Sequence, residues 1–238
     1  MAGAVRPPVE IVIAADAEAV ATLAAAELVR AAHAGLHIAL AGGSTPRRAY
    51  ELAAAAEPDW SRATLWWSDE RAVPPDDPRS NFRLAQESLL ARLARPPRAM
   101  HRIRGELGAA TAAAELEDAL RATLAGGELG LALLGLGGDG HTASLFPGQA
   151  SVQERERLVV VAEPGLEPWV ERVTLTVPAL CAAQRVVFLA TGPGKAEAVV
   201  RAFAGPPDEA TPASLIRSAA GTTVALLDSA AAKLLPAR

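Results

Sequence analysis

The chain has one cysteine, Cys181, which excludes an intrachain disulfide and a cysteine-based metal site and fits a reducing compartment. Basic excess is missing too. Lys and Arg total 23 against 27 Asp and Glu, for a formal charge of −4, so the overall footprint of a nucleic-acid binder is absent. A local basic site for a small anion stays open. Lysine is scarce, at positions 195 and 233 only, and every other basic side chain of this kind is arginine. No run of about 18 apolar residues escapes interruption by charged or turn residues, so no membrane span is expected. Met1–Glu10 lacks an apolar core segment and does not read as a signal peptide. What is present is an ordinary globular balance, 50% hydrophobic and 21% charged over 238 residues. That length suits one good-sized α/β domain covering 1–238. A cytoplasmic protein is expected.

Apolar runs alternate with helical stretches. Val9–Ile13, Leu36–Ala41, Thr64–Trp67, Leu129–Gly135, Leu158–Ala162, Arg172–Val177, Val186–Ala190 and Thr222–Leu227 read as strands, with His101–Arg104 as a short extra one. Helices are expected over Ala17–His33 (Asp16 capping its start, Gly35 past its end), Pro46–Ala56, Ser80–Leu93, Thr111–Leu124, Lys195–Phe203, Pro212–Ile216 and Ser229–Leu235. Leu129–Gly135 is fully apolar, as a strand buried on both faces should be. The pattern predicts a mostly parallel sheet covered on both sides, with ligands at the carboxyl ends of its strands. The loops to inspect follow Ala41, Trp67, Gly135, Val177 and Ala190.

The first is Gly42-Gly43-Ser44-Thr45-Pro46. Glycines let backbone approach a ligand, the hydroxyls donate, and a helix N-terminus attracts anions. The blander reading is a tight turn with Ser44 as the helix cap. The second loop, Ser68–Arg79, opens with Asp69-Glu70-Arg71. Asp69 and Arg71 can orient a sugar hydroxyl or a catalytic group, or form a solvated salt bridge. Ser80-Asn81 can fold back on the same pocket.

Gly135, Gly137 and Gly140 satisfy Gly-x-Gly-x-x-Gly, yet the dinucleotide reading fails because Pro147 and Gly148 interrupt any helix that would follow. What remains is a glycine loop, Gly137–Gly148, presenting Asp139 and His141. Histidine suits acid–base work at neutral pH, and a carboxylate two residues away can fix its tautomer. His33, His37 and His101 are given no role. Lys195, after Gly192-Pro193-Gly194, can reach a phosphate. Arg172 can grip phosphate in a bidentate manner or lie exposed at a strand edge.

In order and spacing, Ala41–Pro46, Ser68-Asp69-Glu70-Arg71 with Val73-Pro74, Ser80-Asn81, Gly135–Gly148, Arg172–Pro178 and Gly192-Pro193-Gly194-Lys195-Ala196 resemble the 6-phosphogluconolactonase family over nearly the whole chain. The resemblance implies a three-layer α/β/α fold with a mostly parallel sheet and a small extra lobe, like that of glucosamine-6-phosphate deaminase and ribose-5-phosphate isomerase. It implies hydrolysis of 6-phospho-D-glucono-1,5-lactone in the oxidative pentose phosphate pathway, between glucose-6-phosphate dehydrogenase and 6-phosphogluconate dehydrogenase, with no cofactor and no metal. Gly42, Gly43, Ser44, Thr45, Arg172 and Lys195 would hold the phosphate. His141 would be the base, Asp139 or Asp69 its orienting partner, and Arg71 the stabiliser of oxyanion charge. Pro75-Asp76-Asp77-Pro78 does not match, so Asp76 and Asp77 carry no role. Cys181 is read as packing. An isomerase or deaminase on the same fold is an alternative, against which the Asp69–Arg71 and Thr142–Pro147 segments argue. A non-catalytic sugar-phosphate sensor is another, and no DNA-binding segment is expected beside it.

Overall fold

A computed structural model describes residues 7–124 and 128–236; Met1–Arg6, most of the stretch read for a signal peptide, lie outside it. Seven parallel strands form the main sheet in the order β1-β10-β9-β6-β2-β3-β5. They are β1 (Val9–Ala14), β2 (His37–Leu40), β3 (Thr64–Trp67), β5 (Ala99–His101), β6 (Leu131–Gly135), β9 (Arg185–Ala190) and β10 (Thr222–Asp228). Helices α1 (Ala17–His33), α2 (Ser44–Ala56), α3 (Asn81–Ser88), α4 (Ala109–Thr123), α5 (Val177–Cys181), α6 (Ala196–Val199) and α7 (Ser229–Ala232) flank it. Burial on both faces explains why β6 reads as an unbroken apolar run rather than an alternating one. Trp60, Trp66, Trp67, Tyr50 and Phe188 are among the largest side chains of the core.

The strand order places the site. β2 and β6 are neighbours, and the chain leaves them in opposite directions, from β2 toward β3 and β5 and from β6 toward β9 and β10. A crevice therefore opens at their carboxyl ends. Asp16 caps α1 as expected, accepting from the Ala19 amide at 2.9 Å. Among the described residues, no helix is long and apolar enough to cross a membrane.

Several expectations need correction. Ser68–Arg79 is not all loop, because Asp69–Arg71 is β4 of a second, antiparallel sheet, β4-β8-β7, with β8 at Arg172–Leu175 and β7 at Val159–Ala162. This is the small extra element beside the main sheet. Val177 belongs to α5, not to the preceding strand; Thr176 ends the strand by accepting from Ala179 as a cap. The short strand is Ala99–His101, not His101–Arg104. α2 starts at Ser44, two residues before Pro46, with Gly43 rather than Ser44 in the cap position. The helix read over Lys195–Phe203 splits into a 3-10 turn, α6 and a π turn, and Pro212–Leu215 is 3-10.

Candidate active site

The glycine loop after β2 is fixed from behind. The buried Tyr50 hydroxyl of α2 donates to the Ala41 carbonyl at 2.7 Å and accepts from the Ala41 amide at 2.9 Å. Gly43 adopts φ 105°, a conformation that favours glycine, and no side chain caps α2. The first-turn amides of α2 and the exposed Ser44 thus face the crevice without a capping partner. Thr45 Oγ1 lies 3.2 Å from Thr191 Oγ1, joining this loop to the one after β9.

The loop after β6 holds a histidine–carboxylate pair. His141 Nδ1 donates to Asp139 Oδ1 at 2.6 Å, and the His141 amide donates to the same oxygen at 3.1 Å. Burial pushes the Asp139 carboxyl up, but these hydrogen bonds outweigh it and hold the group at about 2. Asp139 is therefore ionised at neutral pH. In the neutral ring the proton therefore sits on Nδ1, hydrogen-bonded to this carboxylate, and the lone pair lies on Nε2. Only glycine fits at 137, since a Cβ there would stand 2.0 Å from His141 Nδ1 and 2.4 Å from Asp139 Oδ1. Ala143, two residues on, has φ 48°, a left-handed conformation that costs a non-glycine residue energy. The geometry separates the two candidate carboxylates. Asp69 accepts from Ser144 Oγ at 2.6 Å and Asn81 Nδ2 at 3.3 Å, and no hydrogen bond joins it to His141.

The small sheet brings two arginines into register. Arg71 of β4 and Arg172 of β8 are cross-strand partners. Like charges so placed are unfavourable unless an anion lies between them. Arg172 is 2% exposed, which overturns the reading of a solvated strand edge. Its Nη2 donates to the carbonyls of Leu166 at 2.9 Å and Pro168 at 3.3 Å, and its guanidinium lies 5.1 Å from the Phe146 ring centroid. Burial first, then the Arg71 charge, pushes its pKa down, with Asp69 opposing. Arg71 Nη1 donates to the Arg79 carbonyl at 2.9 Å and to Asn81 Oδ1. The Nε groups of both arginines are buried without a partner. Buried donors left unpaired in this way are uncommon in folded proteins.

These parts line one cleft of about 230 Å3. Gly42, Gly43, Ser44, Thr45, Asp69, Arg71, His141, Arg172 and Lys195 all border it, and Asp139 stands behind His141. Lys195 has no ion-pair partner among the described residues, where no group of three or more potential metal ligands occurs either. Leu166, Thr191 and Ala143 also line the cleft without any signal in the sequence, whereas Asn81 was flagged by its neighbour Ser80 at a helix start. The other histidines serve packing and surface pairing. His101 stacks on Trp66 with centroids 4.0 Å apart, His37 Nδ1 accepts from Trp66 Nε1 at 3.1 Å, and His33 pairs with Glu57.

A family model described as glucosamine-6-phosphate isomerases/6-phosphogluconolactonase matches residues 10–225. A 6-phosphogluconolactonase of Homo sapiens is 40% identical over 230 residues, covering 93% of this chain and 89% of that protein. One from Haemophilus influenzae is 35% identical over 205 residues, covering 84% and 88%. The solved 6-phosphogluconolactonase of Trypanosoma brucei superposes with a TM-score of 0.85 at 28% identity, covering 97% of this chain and all of that one, 100%.

Proposed function

This chain belongs to the glucosamine-6-phosphate isomerase/6-phosphogluconolactonase family, and from that premise we propose that it hydrolyses 6-phospho-D-glucono-1,5-lactone to 6-phosphogluconate. The observation that carries this reading is the Asp139–His141 pair, which leaves a basic Nε2 at the edge of a cleft also lined by anion-binding groups. The phosphate sits on the amides and hydroxyls of Gly43, Ser44 and Thr45, with Lys195 and Arg172 supplying positive charge. Binding there is spent on placing the lactone carbonyl beside His141.

His141 Nε2 takes a proton from water as the water oxygen bonds to the carbonyl carbon. Asp139 stabilises the imidazolium that forms. Arg71 faces the negative charge on the former carbonyl oxygen. When the tetrahedral centre collapses, the bond from carbon to ring oxygen breaks, and the imidazolium returns its proton to that oxygen. One water has been added, and no bond to the protein has formed. The reaction lies between glucose-6-phosphate dehydrogenase, which makes the lactone, and 6-phosphogluconate dehydrogenase, which consumes the product.

A coupled assay tests this. Lactone is generated in situ from glucose 6-phosphate, and NADPH from the third enzyme is followed. The protein should speed the second step well beyond spontaneous hydrolysis, and folded His141→Ala should not. A rate no better than spontaneous hydrolysis would overturn the reading. Release of ammonia from glucosamine 6-phosphate would replace it with the deaminase reading.

A further inference from the structure

Glu70 lies between two cleft residues, Asp69 and Arg71, but strand alternation turns its side chain away from the cleft. It is 2% exposed and has no ion-pair partner within 4 Å among the described residues. A carboxylate so placed is costly unless its lone pairs are filled. Here they are. Oε1 accepts from the Arg71 amide at 2.7 Å and the Asn81 amide at 2.8 Å. Oε2 accepts from Ser80 Oγ at 2.9 Å and the Phe82 amide at 2.8 Å.

Capping α3 does not by itself explain this arrangement, because Ser80 Oγ already accepts from Arg83 in the ordinary way, at 3.2 Å. Glu70 adds a tie between the helix start and the strand residue that carries the guanidinium. Asn81, held by its amide, spends its side chain on the cleft. Its Oδ1 accepts from Arg71 Nη1, and its Nδ2 donates to the Asp69 carbonyl at 2.8 Å. The same carboxamide fills the space beside Gly42, where a Cβ would stand 2.0 Å from Asn81 Oδ1. Three edges of the cleft, the Gly42 loop, β4 and α3, therefore meet at Asn81.

We propose that Glu70 is a positioning residue for the sugar-phosphate cleft. Acting through the Arg71 amide and through Asn81, it fixes the Arg71 guanidinium at the wall of the cleft. This rests on the reading that Arg71 meets the substrate or product.

A double-mutant cycle over Glu70→Gln and Arg71→Ala tests it, with kcat and KM for the lactone and the Kd of 6-phosphogluconate by calorimetry. Gln keeps the shape but puts an NH2 where two donors need an acceptor. With Arg71 present, Glu70→Gln should lower kcat/KM by about 10- to 100-fold and weaken product binding. In the Arg71→Ala background the same change should cost about twofold or less. Equal losses in both backgrounds would overturn the proposal, since a merely structural role does not depend on Arg71. If Glu70→Gln does not fold, Asn81→Ala takes its place in the cycle under the same criterion. Turnover with additive losses would overturn the positioning role and leave the lactonase reading intact. Absent turnover with a non-additive Kd cycle would overturn the lactonase reading and leave the positioning role standing. A wild type that neither turns over nor binds product would overturn both.

Discussion

The two sides of the cleft are built by different means. On the side of the seven-stranded sheet, glycines bring backbone and a histidine to the cleft, and short-range bonds such as Asp139–His141 and Tyr50–Ala41 shape the loops. Gly137 admits the Asp139–His141 pair, and Gly43 opens the start of α2. On the side of the three-stranded sheet, two arginines stand opposite each other through the pairing of strands about a hundred residues apart in the chain, and Asn81, Leu166 and Pro168 hold their guanidinium groups. On the proposed reading this is a division of labour, with the base on the short-range side and the two arginines that face phosphate and oxyanion on the long-range side.

The sharpest way to break that division is Gly137→Ala. The new Cβ stands too close to both His141 and Asp139 for the pair to keep its place. Losing the orientation of the proposed base should cut kcat by about 100-fold or more while KM changes little. Steady-state kinetics beside a thermal melt check it, and an equal rise in KM would show that the loop also holds the ligand. The counterpart is Arg172→Met, on the other side. Removing the proposed charge-assisted contact to phosphate should raise KM by about 10- to 100-fold with kcat nearly kept. The melting temperature should fall as well, because the Leu166 and Pro168 carbonyls lose their donor. A collapse of kcat at unchanged KM would contradict the division.

The same contrast explains what could be read in advance. The loops after β2 and β6 were legible because glycine, hydroxyl, proline and histidine at fixed short spacings carry their own geometry. The sequence left Asp69 and Asp139 as equal candidates to orient His141. Two-residue spacing in a glycine turn favours Asp139, and Asp69 is spent on Ser144 and Asn81. β4 was hidden, because three charged residues do not look like a strand. They pair with β8, about a hundred residues later, a partnership that no local pattern records. Arg172 looked able to lie at an exposed edge for the same reason, and its burial depends on Phe146 and the Leu166–Pro168 carbonyls. The split of the Lys195–Phe203 helix had no sequence signal, since its residues are ordinary helix formers.

Asp139→Asn sharpens the short-range side further. Asp139 is held at about 2, so it stays ionised through the range in which a lactonase works. Its own protonation therefore lies below any acid limb of kcat/KM near neutral pH. Removing the carboxylate 2.6 Å from Nδ1 takes away the group that orients the proposed base and stabilises its imidazolium, so kcat should fall by about tenfold with KM nearly kept. An unchanged kcat would mean that Asp139 does not act through His141.

The smallest expected effect concerns strain. Ala143 sits at φ 48° between His141 and Ser144, whose hydroxyl is tied to Asp69. A left-handed alanine costs about 1–2 kcal/mol, and glycine gives back roughly 0.5–1 kcal/mol of that in unfolded-chain entropy. Ala143→Gly should therefore raise the melting temperature by about 2 °C for a chain of this size. It should also loosen a loop that joins the two sides of the cleft, lowering kcat by about twofold. A more stable protein that turns over more slowly would show that the strain at Ala143 is kept because it holds the histidine loop against the small sheet. A more stable protein with undiminished kcat would show that the Ser144–Asp69 bond suffices.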